Sequence, residues 1–313
     1  MVDPDWRARR DAATVAVREH LPATPLVRVE LDGFTAPAYL KLESLQPTGS
    51  FKVRGALAAV AASVGDGRAV VTASAGNHGL GVAYAATRLG ARATVVVPAN
   101  ASSAKVEALR RFAVELRLVG DGYEEAEAAA LDISHETGAR FISAYTDVDV
   151  IAGQATIVSE VAVDLAGAFQ IVVPVGGGGL ASGTGLAAPA RVRVLGVEAA
   201  ASRGVSAAVT AGRVVHVTVG DTIADGLAGN IADDAMTPRL IAESGVRLSA
   251  VPETAIHEAV RELALRHGVV AEGSASVGVA AALTGQVPPD RPTVFVITGR
   301  NIAAERFAQL VNP

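Results

Sequence analysis

No cysteine occurs among the 313 residues, which excludes disulfides, thiolate zinc sites and cysteine nucleophiles together. Aromatic residues are scarce at 4% and charged residues reach only 19%. A core must therefore be built from Ala, Val, Leu and Ile rather than rings, and with 50% apolar residues the composition argues against disorder. Lysine is nearly absent: of 27 basic residues only Lys41, Lys52 and Lys105 are lysine, and the rest are arginine. Because guanidinium stays protonated, chemistry that needs a deprotonatable amine has few places to go. With a net charge of −5 and no long run of like charge, nothing follows a phosphate backbone, which excludes nucleic acid as the expected partner. The longest uncharged stretch, Leu165 to Ala190, has the length of a membrane span, but Pro174 and the Gly176–Gly179 block would break a spanning helix. Trp6 to His20 mixes Arg, Asp and Glu with small apolar residues and reads as an amphipathic surface helix, not a secretory signal. A cytoplasmic location without membrane contact is the expectation.

From Ala69 onward, short β-branched runs alternate with Ala-rich stretches. The runs Ala69–Thr72, Thr94–Val97, Val114–Val119, Ile171–Val175, Val192–Val197 and Thr293–Ile297 predict strands. Segments near Asn77–Leu89, Ser102–Phe112, Tyr123–Thr137, Ile151–Leu165, Glu253–His267 and Gly273–Leu283 predict helices. Such alternation predicts an open α/β architecture with parallel sheets covered on both faces, and the length favours two domains. Ligands in these sheets sit where loops leave the carboxyl ends of the strands.

The strongest local signal lies at such a place. Ile171–Val175 runs directly into Gly176, Gly177, Gly178, Gly179 and Leu180, followed by an Ala-rich segment. Several glycines at a strand-to-helix junction leave backbone N–H groups uncovered at a helix N-terminus, where the dipole also favours an anion. A tight turn would need only one or two of them. The pattern from Gly183 to Ala188, with Glu198 ending the next strand, supports a competing dinucleotide reading. That pattern, however, begins about two turns after the strand ends.

A second signal is Gln46–Ala56. Pro47 and Gly49 mark a turn, Ser50 is the expected N-cap, and Lys52 falls in the first helical turn, whose positive end lowers an amine pKa and suits a Schiff-base lysine. A third is Thr72–Gly79, where Ser74 can cap, Gly76 lets a ligand approach the backbone, Asn77 adds a donor, and free N–H groups can hold a carboxylate. His78 is expected to be structural. The fourth is Thr298, a hydroxyl at a strand end.

Together with Thr24–Leu26, Val150–Gln154, Gly196–Glu198 and Thr222–Leu227, these segments resemble the fold-type-II pyridoxal-phosphate enzymes, specifically the threonine/serine dehydratase and serine racemase group. The resemblance implies a tryptophan-synthase-β-like α/β fold with the cofactor in a cleft. Residues 1–65 plus 146–313 would form the large cofactor domain and 66–145 the small one, with no C-terminal regulatory domain, hence no end-product control by that route. It implies pyridoxal 5'-phosphate as cofactor, Lys52 as Schiff-base lysine and Cα base, and Gly176–Gly179 with Leu180 on the phosphate. Asn77 would bind the ring hydroxyl, Phe51 would flank the ring, Thr298 would face the pyridine nitrogen, and Ser74, Gly76, Asn77 and His78 would serve the substrate carboxylate. A homodimer is the family expectation.

Three departures stand out. The family ending Ser-Gly-Gly-Asn reads Thr298–Asn301 with Arg300 expected near the ring edge, and Tyr-Asp-Asp-Pro reads Tyr145–Val148. The second acid of the cation site found in some relatives is Gly204 here, six residues after Glu198, so no metal is expected. The expected activity is elimination from a small β-hydroxy amino acid, L-threonine or L-serine, giving a 2-oxo acid and ammonia. A racemase or 3-hydroxyaspartate-type dehydratase of the same fold, a nicotinamide-dependent oxidoreductase and a non-catalytic amino-acid-binding module are the alternatives. Ala75 stands where racemase relatives carry a serine on the second face of Cα, which favours elimination.

Overall fold

The β-branched runs become strands buried along their whole length: β3 (Val70–Ala73), β7 (Gln170–Pro174) and β10 (Thr293–Val296) have no exposed position, as parallel strands covered on both faces require. The structure, a computed structural model, describes residues 4–312. The other strands are β1 (Leu26–Val29), β2 (Ala38–Lys41), β4 (Ala93–Val97), β5 (Glu115–Leu118), β6 (Arg140–Phe141), β8 (Arg193–Ala199) and β9 (Arg247–Val251). The helices are α1 (Trp6–His20), α2 (Lys52–Gly65), α3 (Asn77–Leu89), α4 (Ser103–Leu109), α5 (Tyr123–Thr137), α6 (Val148–Asp164), α7 (Gly179–Ala187), α8 (Gly204–Ala211), α9 (Thr237–Glu243), α10 (Glu253–His267), α11 (Gly273–Leu283) and α12 (Ala304–Val311). Among the described residues no helix is long and apolar enough to cross a membrane.

The chain divides into two compact units, one formed by residues up to Pro22 with Ser50–Thr156, the other by Ala23–Gly49 with Ile157 onward. The first holds a parallel sheet ordered β5-β4-β3-β6. The second holds the sheet β1-β2-β10-β7-β8-β9, parallel except for the antiparallel β1–β2 edge. This division differs from the expected boundaries at 65 and 146. Val53, Ala56, Leu57 and Val60 of α2 share one buried cluster with Val17 and Leu21 of α1, Val82 and Ala86 of α3, and Val150 of α6. Burial of these apolar faces groups α1, α2 and the start of α6 with the four-stranded sheet.

Boundaries of α1, α3, α5, α10 and α11 fall where the sequence pattern puts them. Helix α6 starts three residues before its expected beginning because Asp147 caps it, Oδ1 accepting from the backbone N–H of Asp149 at 2.9 Å and of Val150 at 3.2 Å. Glycines let α2 and α6 approach closely: a Cβ on Gly153 would lie 2.5 Å from the Arg54 carbonyl oxygen and 2.5 Å from Gly55 Cα. Both are backbone atoms that cannot swing away. Gly153→Ala should therefore lower stability by ~1–3 kcal/mol, read as a lower urea midpoint with unchanged slope; an unchanged midpoint would show that the crossing tolerates a methyl group.

Candidate active site

Of the three lysines, Lys41 is buried and committed, its Nζ donating to Glu160 Oε2 at 2.7 Å and to the Thr24 carbonyl at 2.8 Å, and Lys105 is exposed on α4. Lys52 is the first residue of α2, with Phe51 at the N-cap and no side-chain cap, so Ser50 does not fill the capping role expected of it. The Lys52 Nζ donates to the neutral Ala144 carbonyl at 3.1 Å and lies 5.4 Å from the centroid of the Phe51 ring. Its backbone rests against α3, where a Cβ on Gly81 would stand 3.2 Å from the Lys52 carbonyl.

The turn between β3 and α3 belongs to the same unit. Gly76, not Ser74, occupies the N-cap of α3; Ser74 Oγ instead accepts the Gly76 N–H at 3.1 Å, folding the turn on itself. Asn77 and His78 open the helix. The side chain of His78 is buried and turned to β6, its Nε2 lying 3.0 Å from the Ile142 carbonyl. A carbonyl only accepts, so Nε2 carries the proton and Nδ1 is left as a lone-pair acceptor with no partner among the described residues. Burial, reinforced by the nearby Lys52 charge, pushes the imidazole down to about 3. A carboxylate ligand would thus meet the main chain of His78 rather than an imidazolium.

Several residues passed over in the sequence complete this arrangement. Thr72 Oγ1 donates to the same Ile142 carbonyl at 2.8 Å. Arg140 grips the far end of the segment, its Nη2 lying 2.8 Å from Asp147 Oδ2 and 2.7 Å from Asp149 Oδ2, while Arg9 holds Asp149 Oδ1 at 2.8 Å. Burial pushes the Asp147 carboxyl up against the pull of Arg140. Residues 142–147 are thereby fastened at both ends, with the Ala144 carbonyl presented between them. The spacing of Arg140, Asp147 and Asp149 was the one available sequence signal for this clamp.

The second unit carries the other predicted residues. Gly178 adopts φ +88° at the N-cap of α7, and Leu180 is buried in that helix's first turn. A Cβ on Gly176 would lie 3.0 Å from the Gly226 carbonyl oxygen and 3.2 Å from Leu227 Cα, so the Thr222–Leu227 segment backs the loop. Residues 183–187 of the Gly183 pattern lie inside α7, which removes the loop that a dinucleotide site needs. The Glu198 carboxylate accepts the backbone N–H groups of Val205 at 3.0 Å and Ser206 at 3.2 Å, and burial pushes its pKa up. It caps the start of α8.

Thr298 is buried just after β10. Its loop is held by Glu272, whose N–H donates to the Gly299 carbonyl and whose Oε2 accepts the Asn301 N–H, each at 3.0 Å. Asn301 Nδ2 donates to the Thr48 carbonyl at 2.8 Å, and the Arg300 N–H to the Gly49 carbonyl at 2.9 Å. The Arg300 guanidinium reaches the Ser44 carbonyl. It braces the short turn Glu43–Leu45.

An amine at a helix start in one unit, and a glycine loop at a helix N-terminus and a hydroxyl at a strand end in the other, are the kinds of group that bind a phosphorylated aldehyde cofactor with a pyridine ring. Residues 17–299 match the family described as pyridoxal-phosphate dependent enzyme, and the chain belongs to that family. Among curated relatives it is 40% identical to an L-threonine ammonia-lyase of Thermotoga maritima over 88% of this chain and 69% of that one. It is 36% identical to a catabolic L-threonine dehydratase of Escherichia coli over 87% and 85% of the respective chains. Among solved structures, a threonine deaminase superposes with a TM-score of 0.84 at 32% identity, covering 95% of this chain and 98% of that one. Maize serine racemase gives 0.87 at 28% identity, covering 96% and 95%. The chain is a fold-type-II pyridoxal-phosphate enzyme.

The buried neutral imidazole has a consequence for stability. The folded-state pKa of about 3 lies below the ordinary 6.5, so between these values the unfolded chain binds the extra proton and stability rises with pH. The contribution is complete above pH 6.5 and is lost as pH falls toward 3. Replacing His78 by Gln should flatten the dependence of the urea midpoint on pH across that window; equal slopes for both proteins would contradict a neutral buried His78.

Proposed function

We propose that this protein is a pyridoxal-phosphate-dependent ammonia-lyase that removes water from a small β-hydroxy amino acid, L-threonine or L-serine, to give a 2-oxo acid and ammonia. The observation that carries the reading is the Lys52 amine, set at the start of α2 and aimed at a neutral carbonyl. The relatives named threonine ammonia-lyase and threonine dehydratase support the substrate class. When bound, the cofactor supplies a carbonyl for the substrate amine and an electron sink for the bond broken at Cα.

The chain's own residues do the rest. Lys52 holds the cofactor and takes the Cα proton. The Ala144 carbonyl accepts from the resulting ammonium and keeps Nζ oriented. Gly176–Gly179 and Leu180 would hold the phosphate by backbone N–H groups, Asn77 and Phe51 would contact the ring, and the Ser74–His78 turn would receive the substrate carboxylate. Thr298 would face the pyridine nitrogen with a hydroxyl that, unlike a carboxylate, would not keep that nitrogen protonated, so the cofactor would be a weaker electron sink and loss of a β-hydroxyl would compete well. A cytoplasmic location and a homodimeric state belong to the same proposal, the latter tested by sedimentation at the dimer mass.

Racemisation is the second reading, favoured by the similarity to serine and aspartate racemase structures. It needs an acid/base group on each face of Cα. Ala75 offers none, and the Ser74 hydroxyl is already the acceptor for Gly76 N–H. Purified enzyme should release pyruvate from L-serine much faster than it forms D-serine in the same tube, and Ala75→Ser should raise the D-serine share. D-serine appearing as fast as pyruvate would overturn the assignment. Lys52→Ala should abolish 2-oxo acid formation together with the visible absorbance of lysine-bound cofactor, whereas a colourless native protein that binds NAD would sink the reading altogether.

A further inference from the structure

We propose that Thr237, at the start of α9, is a positioning residue that sets the Gly177–Gly178 peptide and so aims the Gly178 N–H at the cofactor phosphate. The inference rests on the pyridoxal-phosphate reading above. Thr237 is fully buried, and its Oγ1 donates to the Gly177 carbonyl at 2.7 Å. In a trans peptide the C=O and N–H point in opposite directions, and the described residues contain no cis bond. Turning the Gly177 carbonyl toward α9 therefore turns the Gly178 N–H to the opposite side.

The next peptide is set by the helix. The Gly178 carbonyl accepts Ser182 N–H at 2.8 Å as the opening bond of α7, which sends the Gly179 N–H outward from the helix N-terminus. Two consecutive donors are thus oriented by two different acceptor commitments, and only the first depends on a side chain.

Glycine explains why such a side chain is needed. With no Cβ on residues 176–179, the Gly177–Gly178 peptide can turn over at little steric cost, so the sequence that makes the cradle also leaves it without a fixed orientation. Thr237 supplies it. A Cβ on Gly178, at φ +88°, would lie 2.9 Å from Thr237 Cβ and 3.0 Å from its Oγ1, so the threonine is seated directly against the loop. Ser182 Oγ donates to the Thr237 carbonyl at 3.4 Å and ties α9 back to α7.

The test compares the cofactor with its dephosphorylated form. Apoenzyme is titrated with pyridoxal phosphate and with pyridoxal for the native protein, Thr237→Val and Thr237→Ser. Val keeps the shape and removes the donor, so its pyridoxal phosphate affinity should fall by about tenfold. Ser should restore it, and once each apoenzyme is confirmed folded at the assay temperature, pyridoxal affinity should not change. Thr237→Ala, which also lacks the donor, carries the same expectation should Val not fold. Undiminished pyridoxal phosphate affinity in the variant lacking the hydroxyl, or an equal loss for both ligands, would overturn the role assigned to Thr237. Native protein that takes up neither ligand would instead overturn the cofactor reading beneath it.

Discussion

Close approach of α2 to its neighbours is the constraint on which the Lys52 half of the site depends. Gly81 admits the Lys52 backbone against α3, and Gly55 with Gly153 lets α6 cross the next turn of the same helix at backbone contact. A close-packed interior transmits any added methyl as displacement, and the amine at the head of α2 would move with it. The glycines set where the head of α2 lies, and the side chains that fasten residues 142–147 set where the Ala144 carbonyl lies.

The electrostatic design follows the same economy of charge. Around Lys52 stand a carbonyl, an aromatic ring and an imidazole kept neutral by burial. The ion pairs of Arg9, Arg140, Asp147 and Asp149 stand at the outer end of the segment they fasten. The Lys41 amine, by contrast, is committed to its ion pair with Glu160. In the second unit the Gly176–Gly179 loop has Thr237 and the Gly226–Leu227 turn behind it.

Fold alone does not separate elimination from racemisation, because both activities appear among the structures this chain resembles. In the function proposed above, the distinction falls to single side chains at one turn: Ala75 without a titratable group, and Ser74, whose hydroxyl accepts the Gly76 N–H.

The alternation of β-branched and Ala-rich segments determined the α/β class, and five helices stand where the sequence pattern put them, because burial on both faces of a parallel strand and one face of a helix leaves a periodic trace in the chain. Lys52, the tetraglycine loop, the Ser74–His78 turn and Thr298 were legible for a related reason: each lies in a local motif next to a strand or helix end. Tertiary structure decided what no local pattern carries. That α2 groups with the four-stranded sheet, that His78 spends its side chain on Ile142, that Arg300 reaches Ser44, and that Thr237 braces Gly177 all depend on partners dozens to hundreds of residues away. Those contacts are specified by packing of the folded chain, and hydrogen-bond partners brought together only by packing have no signature in sequence spacing.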